Sequence, residues 1–295
     1  MTIMNKLRSP RLFACARACL WEDDRKLMPW EDVRSKPSML AKPPPTGLAA
    51  ETTLHHFAIV TYLVEPDTLS RHLHGRFQPD CITTQAGARQ AVVSVVTFLD
   101  RDFRFVACPW PRYTFGQTNY RAYVLDTETG EHVVWFFGTC LDSVSVALPR
   151  YLWRLPWHRA HMDFQCRYNI DSQSYTSFKV TTRSKWAPAV LELKDSGQPP
   201  DFLDGFPDLE AGLLFLTHPF RGYFFRQNGS LGSYSIWHDR LKPTQGQVTT
   251  ARYPRLDRLN LIEEGSLSHV HSVLIQRTID FTIYLPPVAV STANC

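Results

Sequence analysis

The sequence predicts a mainly β (α+β) domain: an antiparallel β-barrel, closed or partly closed, with a few short helices. Aromatic residues make up 13% of the 295 residues, which suits pleated, half-buried surfaces. Three stretches read as strand–turn–strand units. A closed sheet then removes the edges that so many strands would leave exposed.

Residues 1–53 read as an N-terminal appendage, and residues 54–295 as the barrel domain. The opening "MNKLRSPRLFACARACLW" has no acid before Glu22; it fits an amphipathic presequence or an ordinary N-terminal helix. Cytoplasm is the default location. Pro43, Pro44 and Pro45 impose an extended linker after it.

"HHFAIVTYLV" (residues 55–64) is β-branched and aromatic, hence a strand. "EPDTLSRHLHGRF" reads as a short helix, with Pro66 in its first turn and Gly75 ending it. "ARQAVVSVVTFLD" is almost continuously apolar, so it is a strand buried on both faces. "NYRAYVLDTETGEHVVWFFGTCL" reads as a hairpin with Gly130 in the turn, and "FQCRYNIDSQSYTSFKVTTRS" as another. In "RGYFFRQNGSLGSYSIWHD", Asn228-Gly229 predicts a type I′ hairpin. Residues 142–164 hold a short helix ending before Pro156, and "LEAGLLFLTHPF" a helix stopped by Pro219.

Several function classes lose ground. The net charge of +4, from 32 Lys and Arg against 28 Asp and Glu, is small and scattered, and no basic–aromatic run marks a nucleic-acid footprint. No apolar stretch approaches the roughly 20 residues that span a bilayer. The 7 cysteines form no CxxC pair, which excludes a zinc ribbon and argues against a disulfide framework. Glycine-rich phosphate loops, HExxH and GxSxG are missing. No cofactor and no metal are implied.

"FGQTNYRAYV" is the most suggestive polar stretch. On a strand, Gln117, Asn119 and Arg121 share one face, and Thr118, Tyr120 and Ala122 the other. Two amides and a guanidinium are costly to bury without partners. They line a wet cavity, with Arg121 gripping a carboxylate, or they face solvent on an ordinary half-exposed strand. His158 and His161, with Asp163, could contribute to a metal set on a helix, but two ligands without a third equally describe a turn. Of His55 and His56, strand alternation lets at most one enter a barrel interior.

"LHHFAIVTYLVEPDTLSRHLHGRFQPD" is similar to the opening of acetoacetate decarboxylase-like proteins. "TFGQTNYRAYV", "VVWFFGTCLDSVSVALPRYLWRLPWHRAHMDF" and "LLFLTHPFRGYFFRQNGSLGSYSIWHD" resemble the uncharacterised YqjF-like (DUF2071) branch of that superfamily. The resemblance spans about 54–285 and implies an acetoacetate decarboxylase-like barrel. It also shows where the chain departs. In the decarboxylase a Pro-Lys-Lys stretch supplies the Schiff-base lysine; here "LPWHRA" places Trp157 and His158 there, which argues against imine chemistry. The branch carries Glu where this chain has Gln117, whereas Asn119 and Arg121 match it.

The resemblance therefore implies a small-molecule enzyme of lyase, cyclase or decarboxylase-like type in specialised metabolism. Its substrate is a hydrophobic carbonyl or carboxylate compound, handled by acid–base and electrostatic catalysis. His158, Arg121 and Gln117 are the candidate catalytic residues; Asn119, Tyr120, Trp157 and His56 are the candidate substrate-binding residues. The alternative is a non-catalytic ligand-binding barrel. A small molecule is the expected partner, and a homo-oligomer is what a superfamily that often assembles implies.

Overall fold

The computed structural model describes residues 41–143, 147–267 and 269–290, without the side chains of 147–149. The N-terminal helix expected within residues 1–40 lies outside the described residues. The strands begin at β1 (Ala50–Val64), four residues before the expected boundary at 54. Helix α1 (Pro66–Ser70) and two short strands, β2 (Phe77–Pro79) and β3 (Cys81–Thr83), lead into the long strands β4 (Arg89–Phe105), β5 (Cys108–Asp126) and β6 (His132–Leu141). Helix α2 (Ala147–Leu152) precedes β7 (Trp157–Arg159), β8 (His161–Asn169), β9 (Ser174–Arg183) and β10 (Ala189–Asp195). Helix α3 (Leu209–Thr217), β11 (Arg221–Phe225), β12 (Leu231–His238), β13 (Thr244–Arg252), α4 (Pro254–Arg258) and β14 (Val270–Ala289) complete the chain.

The strand pairings close on themselves. The order β1-β4-β5-β6-β11-β12-β14 returns to β1, because β14 pairs with both β12 and β1. Strands β13, β10, β9 and β8 continue from β14 and pack over the outside of this ring. One expectation needs correction: the ring is not wholly antiparallel, since β6 and β11 pair in parallel. The chain between them leaves the ring to build the outer sheet and α3, so it returns in the same direction as it left.

Strand alternation sorts the side chains into two cores. Ala58, Val60, Val93, Val95, Tyr120 and Ala122 face outward against Phe178, Val180 and Leu191 of the outer sheet. Leu54, Phe57, Ile59, Val96 and Phe98 face the ring interior. The interior is closed at one end by α3. Its start is fixed by Asp208, whose carboxylate accepts from Ala211 N at 2.8 Å, a side-chain N-cap. Leu214, Phe215 and Leu216 are buried, each stabilising the seat of the helix by roughly 1.5–3 kcal/mol.

Two local features differ from sequence expectation. The Asn228-Gly229 hairpin is not type I′: only Gly229 has a left-handed φ, at +82°, whereas that turn needs two such residues. Arg226 N donates to Ser230 O and Gly229 N to Arg226 O, both at 2.8 Å, giving a three-residue loop. Contacts elsewhere in the chain impose it, since Gln227 N donates to Arg154 O at 3.0 Å and its side-chain amide to Leu155 O at 3.1 Å. The second feature is a bulge in β1. Its register with β4 slips between His55 and Ala58, with His56 at φ +52°. The extra residue shifts the parity of the strand, so Leu54 and Phe57 both face inward and the two histidines between them both face outward.

Candidate functional site

The ring encloses a cavity of about 190 Å³. Its walls are mostly apolar, with Phe57, Phe98, Phe115 and Phe281 among them, and Trp153 and Trp157 lie along one side. The half-exposed Tyr113, with Phe103 and Phe105, marks the outer end. A 150 Å³ apolar cavity holds benzene, so this one takes a ligand of on the order of ten non-hydrogen atoms.

Strand β5 supplies the polar part. Gln117, Asn119 and Arg121 all line the cavity, while Thr118 and Tyr120 are buried behind them. Asn119 Oδ1 accepts from Gln117 Nε2 at 2.9 Å and from Thr139 Oγ1 at 2.8 Å. That fixes the amide with its Nδ2 turned to the cavity, where no described residue accepts from it.

Arg121 is only 8% exposed, and no carboxylate among the described residues pairs with it. Its Nε donates to Ser94 Oγ at 3.0 Å, and its Nη2 to Tyr123 Oη and Leu216 O, each at 3.0 Å. Leu216 O also accepts from Tyr123 Oη at 2.7 Å. It is one of the last carbonyls of α3, where the helix carries roughly −0.5 charge. His238 completes this cap, with Nε2 2.8 Å from Thr217 O and Nδ1 2.7 Å from Asp239 O. Burial lowers its pKa against the raising effect of these carbonyls. The helix end thus offsets part of the guanidinium charge, and Nη1 has no acceptor among the described residues. The inner end of the cavity is a donor-rich, positive patch with Tyr234 beside it; burial raises that phenol's pKa.

The sequence did not single out Asp100, which lies on β4 and lines the cavity. It is 2% exposed. Its Oδ1 accepts from Thr52 Oγ1 at 3.0 Å, while Oδ2 has no hydrogen-bond partner among the described residues. Burial pushes its pKa up to about 7, against a smaller lowering by the Thr52 hydroxyl. Asp100 pairs with Phe115 and Phe98 with Gln117, so Asp100 and Gln117 are diagonal neighbours on the cavity face, about 7–8 Å apart. The available signal was parity: Ser94, Val96, Phe98 and Asp100 alternate onto one face.

Three of the expected site residues lie elsewhere. Trp157 reaches the cavity, but the next residue on β7, His158, projects the other way. Its ring stacks on Trp186 at 4.1 Å and 3°, in a surface groove with Arg150, Arg159, Arg183 and Lys185. Burial, with Arg150 and Arg255 adding to it, lowers its pKa to about 4, so it is neutral near pH 7. Tyr120 faces the outer sheet, its ring 5.6 Å from Trp186. His56, turned out by the β1 bulge, has its Nδ1 2.9 Å from Tyr175 Oη, and burial lowers its pKa to about 4. Among the described residues no group of three or more His, Cys, Asp or Glu side chains could hold a metal ion. No described helix is long and apolar enough to cross a membrane.

The fold has solved counterparts. The chain is similar to the crystal structure of acetoacetate decarboxylase from Legionella pneumophila subsp. pneumophila str. Philadelphia 1, with TM-score 0.53 and 12% identity over 86% of this chain and 94% of that one. An acetoacetate decarboxylase-like enzyme from Sphingomonas wittichii RW1 gives TM-score 0.52 and 8% identity over 83% and 95%. The enduracididine biosynthesis enzyme MppR complexed with pyruvate gives 0.50 and 12% over 85% and 92%. At these identities the likeness concerns the fold. No curated protein matches the chain by sequence. A family model described as an uncharacterized conserved protein, DUF2071, matches residues 51–275. That match covers most of the chain, and with the shared architecture it establishes that the protein belongs to the DUF2071 family, within the acetoacetate decarboxylase-like fold.

Proposed function

We propose that the protein is a small-molecule enzyme acting on a mainly apolar carbonyl or carboxylate compound bound inside the ring. The observation that carries this reading is Arg121: a buried guanidinium that, among the described residues, has no carboxylate partner and no acceptor for Nη1, with the Asn119 amide beside it at the end of an apolar cavity. Such a patch receives a carboxylate or a developing oxyanion, while the aromatic walls hold the rest of the ligand. No lysine lies among the described lining residues, so the proposed chemistry is electrostatic and acid–base and forms no imine. The MppR neighbour's complex with pyruvate is in keeping with a small keto acid as ligand class.

A second reading is a ligand-binding barrel without turnover. It draws support from the lack of Lys, Cys and Ser among the described lining residues.

A thermal-shift panel of aliphatic and aromatic keto acids, with mass spectrometry of each hit, separates the two. Saturation at a hundred times Kd adds about 2.7 kcal/mol, and R121M should abolish the shift for carboxylate ligands. Stabilisation with a changed mass identifies an enzyme, and stabilisation without change a binding protein. A shift that persists undiminished in R121M refutes the assigned site.

A further inference from the structure

We infer that Asp100 is the proton-transfer residue of this cavity, moving a proton at the carbon α to a ligand carbonyl that faces Gln117 and Asn119. The inference rests on the cavity reading and narrows the ligand class to compounds with an enolisable carbonyl and an apolar tail. The geometry has three parts. Asp100 is sequestered from solvent yet lines the cavity, and its Oδ2 has no partner among the described residues. The one hydrogen bond it accepts among the described residues, from a Thr52 hydroxyl that also lies 3.1 Å from Arg101 O, holds the carboxyl without occupying the free oxygen. Gln117 is its diagonal neighbour on the next strand. With one Nε2 hydrogen used on Asn119 Oδ1, Gln117 still has a second N–H to offer. A carbonyl oxygen there lies between amide donors and a proton acceptor.

The step balances within the site. The α C–H bond breaks and its proton passes to Asp100 Oδ2. The electron pair moves through the carbonyl to its oxygen, which Gln117 Nε2 and Asn119 Nδ2 stabilise by donation. Asp100 Oδ2–H then exchanges its hydrogen with water entering from the outer end of the cavity. Returning a hydrogen from Asp100 to the α carbon regenerates the ketone, so water is the one co-reactant and the source of the exchanged hydrogen.

Among the described residues, the other charged or titratable groups facing this cavity are Tyr113 and Arg121 on β5 and Tyr234 and His238 on β12. From β1 the facing polar group is the Thr52 hydroxyl, and the facing lining residues of β14 (Phe281, Ile283 and Leu285) do not titrate. Burial thus sets the titration of Asp100, to about 7, where a base and its conjugate acid coexist.

The test uses 2-octanone as probe and the intact protein in D2O. Probe binding is read by thermal shift, and α-hydrogen exchange by mass spectrometry. The wild type should bind and exchange, with a rate that rises as pH passes through about 7, because the ionised carboxylate is the base. D100N should still bind but lose about a hundredfold or more of the exchange rate. T52V, which deletes the lowering hydrogen bond, should move the midpoint upward and keep exchange at high pH. Failure to bind the probe refutes the cavity reading and this inference with it. Binding without exchange, exchange that survives in D100N, or an unmoved T52V midpoint overturns the assignment of Asp100 alone.

Discussion

Asp100→Asn should stabilise the protein, and increasingly so as pH rises. A carboxyl whose pKa is raised on folding contributes its full stability below the unfolded value and loses it as pH climbs through the folded value. Here the shift runs from 3.8 to about 7, roughly three pK units at about 1.4 kcal/mol each, so the penalty for burying the ion approaches about 4 kcal/mol. The loss is graded, because the unfolded chain ionises first; about 2–3 kcal/mol of it falls between pH 5 and pH 8. The asparagine has nearly the shape of the neutral acid and keeps an oxygen to accept from Thr52, so at pH 5 and below the two proteins should differ least. Urea denaturation of both at unit intervals from pH 5 to 8 isolates the effect, since every other titration cancels in the difference. A stability difference that stays flat across that range would show that Asp100 titrates normally and that the carboxyl is not held in a dry environment.

Two further substitutions probe the frame around the cavity. Arg76 grips the fully buried Asp126 with two bonds, Nε to Oδ1 at 2.7 Å and Nη2 to Oδ2 at 2.5 Å; R76A should therefore cost about 3–5 kcal/mol by removing that carboxylate's counter-charge and leaving it to Glu128 N and Tyr223 Oη, measured as a fall in the denaturation midpoint. G138A would place its Cβ 2.6 Å from Trp186 Cη2 at a backbone φ of +151°, which should cost about 1–3 kcal/mol and alter the environment of the tryptophan stacked on His158. Unchanged tryptophan fluorescence in that variant would count against the packing described for Trp186.

Much of the frame was legible because it depends on local signals. The apolar run before Asp100, the Gly130 turn and the Pro219 stop each fix an element through neighbours in sequence. The face shared by Gln117, Asn119 and Arg121 followed from alternation alone, and it is the face that lines the cavity. What escaped depended on contacts distant in sequence. Asp100 follows a run of β4 that is apolar on both faces, so alternation groups it with Ser94, Val96 and Phe98 but nothing local tells which face meets the cavity and which the outer sheet. Likeness to a lysine-bearing stretch points to His158, yet the pairing of β7 with β6 directs its neighbour Trp157 inward instead. Simple alternation does not place His56, because a single bulged residue reverses the parity of everything before it. The free guanidinium nitrogen of Arg121 could not be anticipated either, since what holds the rest of the group is the carbonyl end of α3, brought from about a hundred residues away in the chain.

The central claim is that the ring cavity binds a small apolar molecule with its polar end on β5, and a crystal structure of the protein soaked with octanoate tests it most directly. The carboxylate should lie within hydrogen-bond distance of Arg121 Nη1 and Asn119 Nδ2, with the chain running past Phe57, Phe98 and Phe115. Octanoate found instead in the basic groove beside His158 and Arg183, with the ring interior empty of it, would contradict the claim.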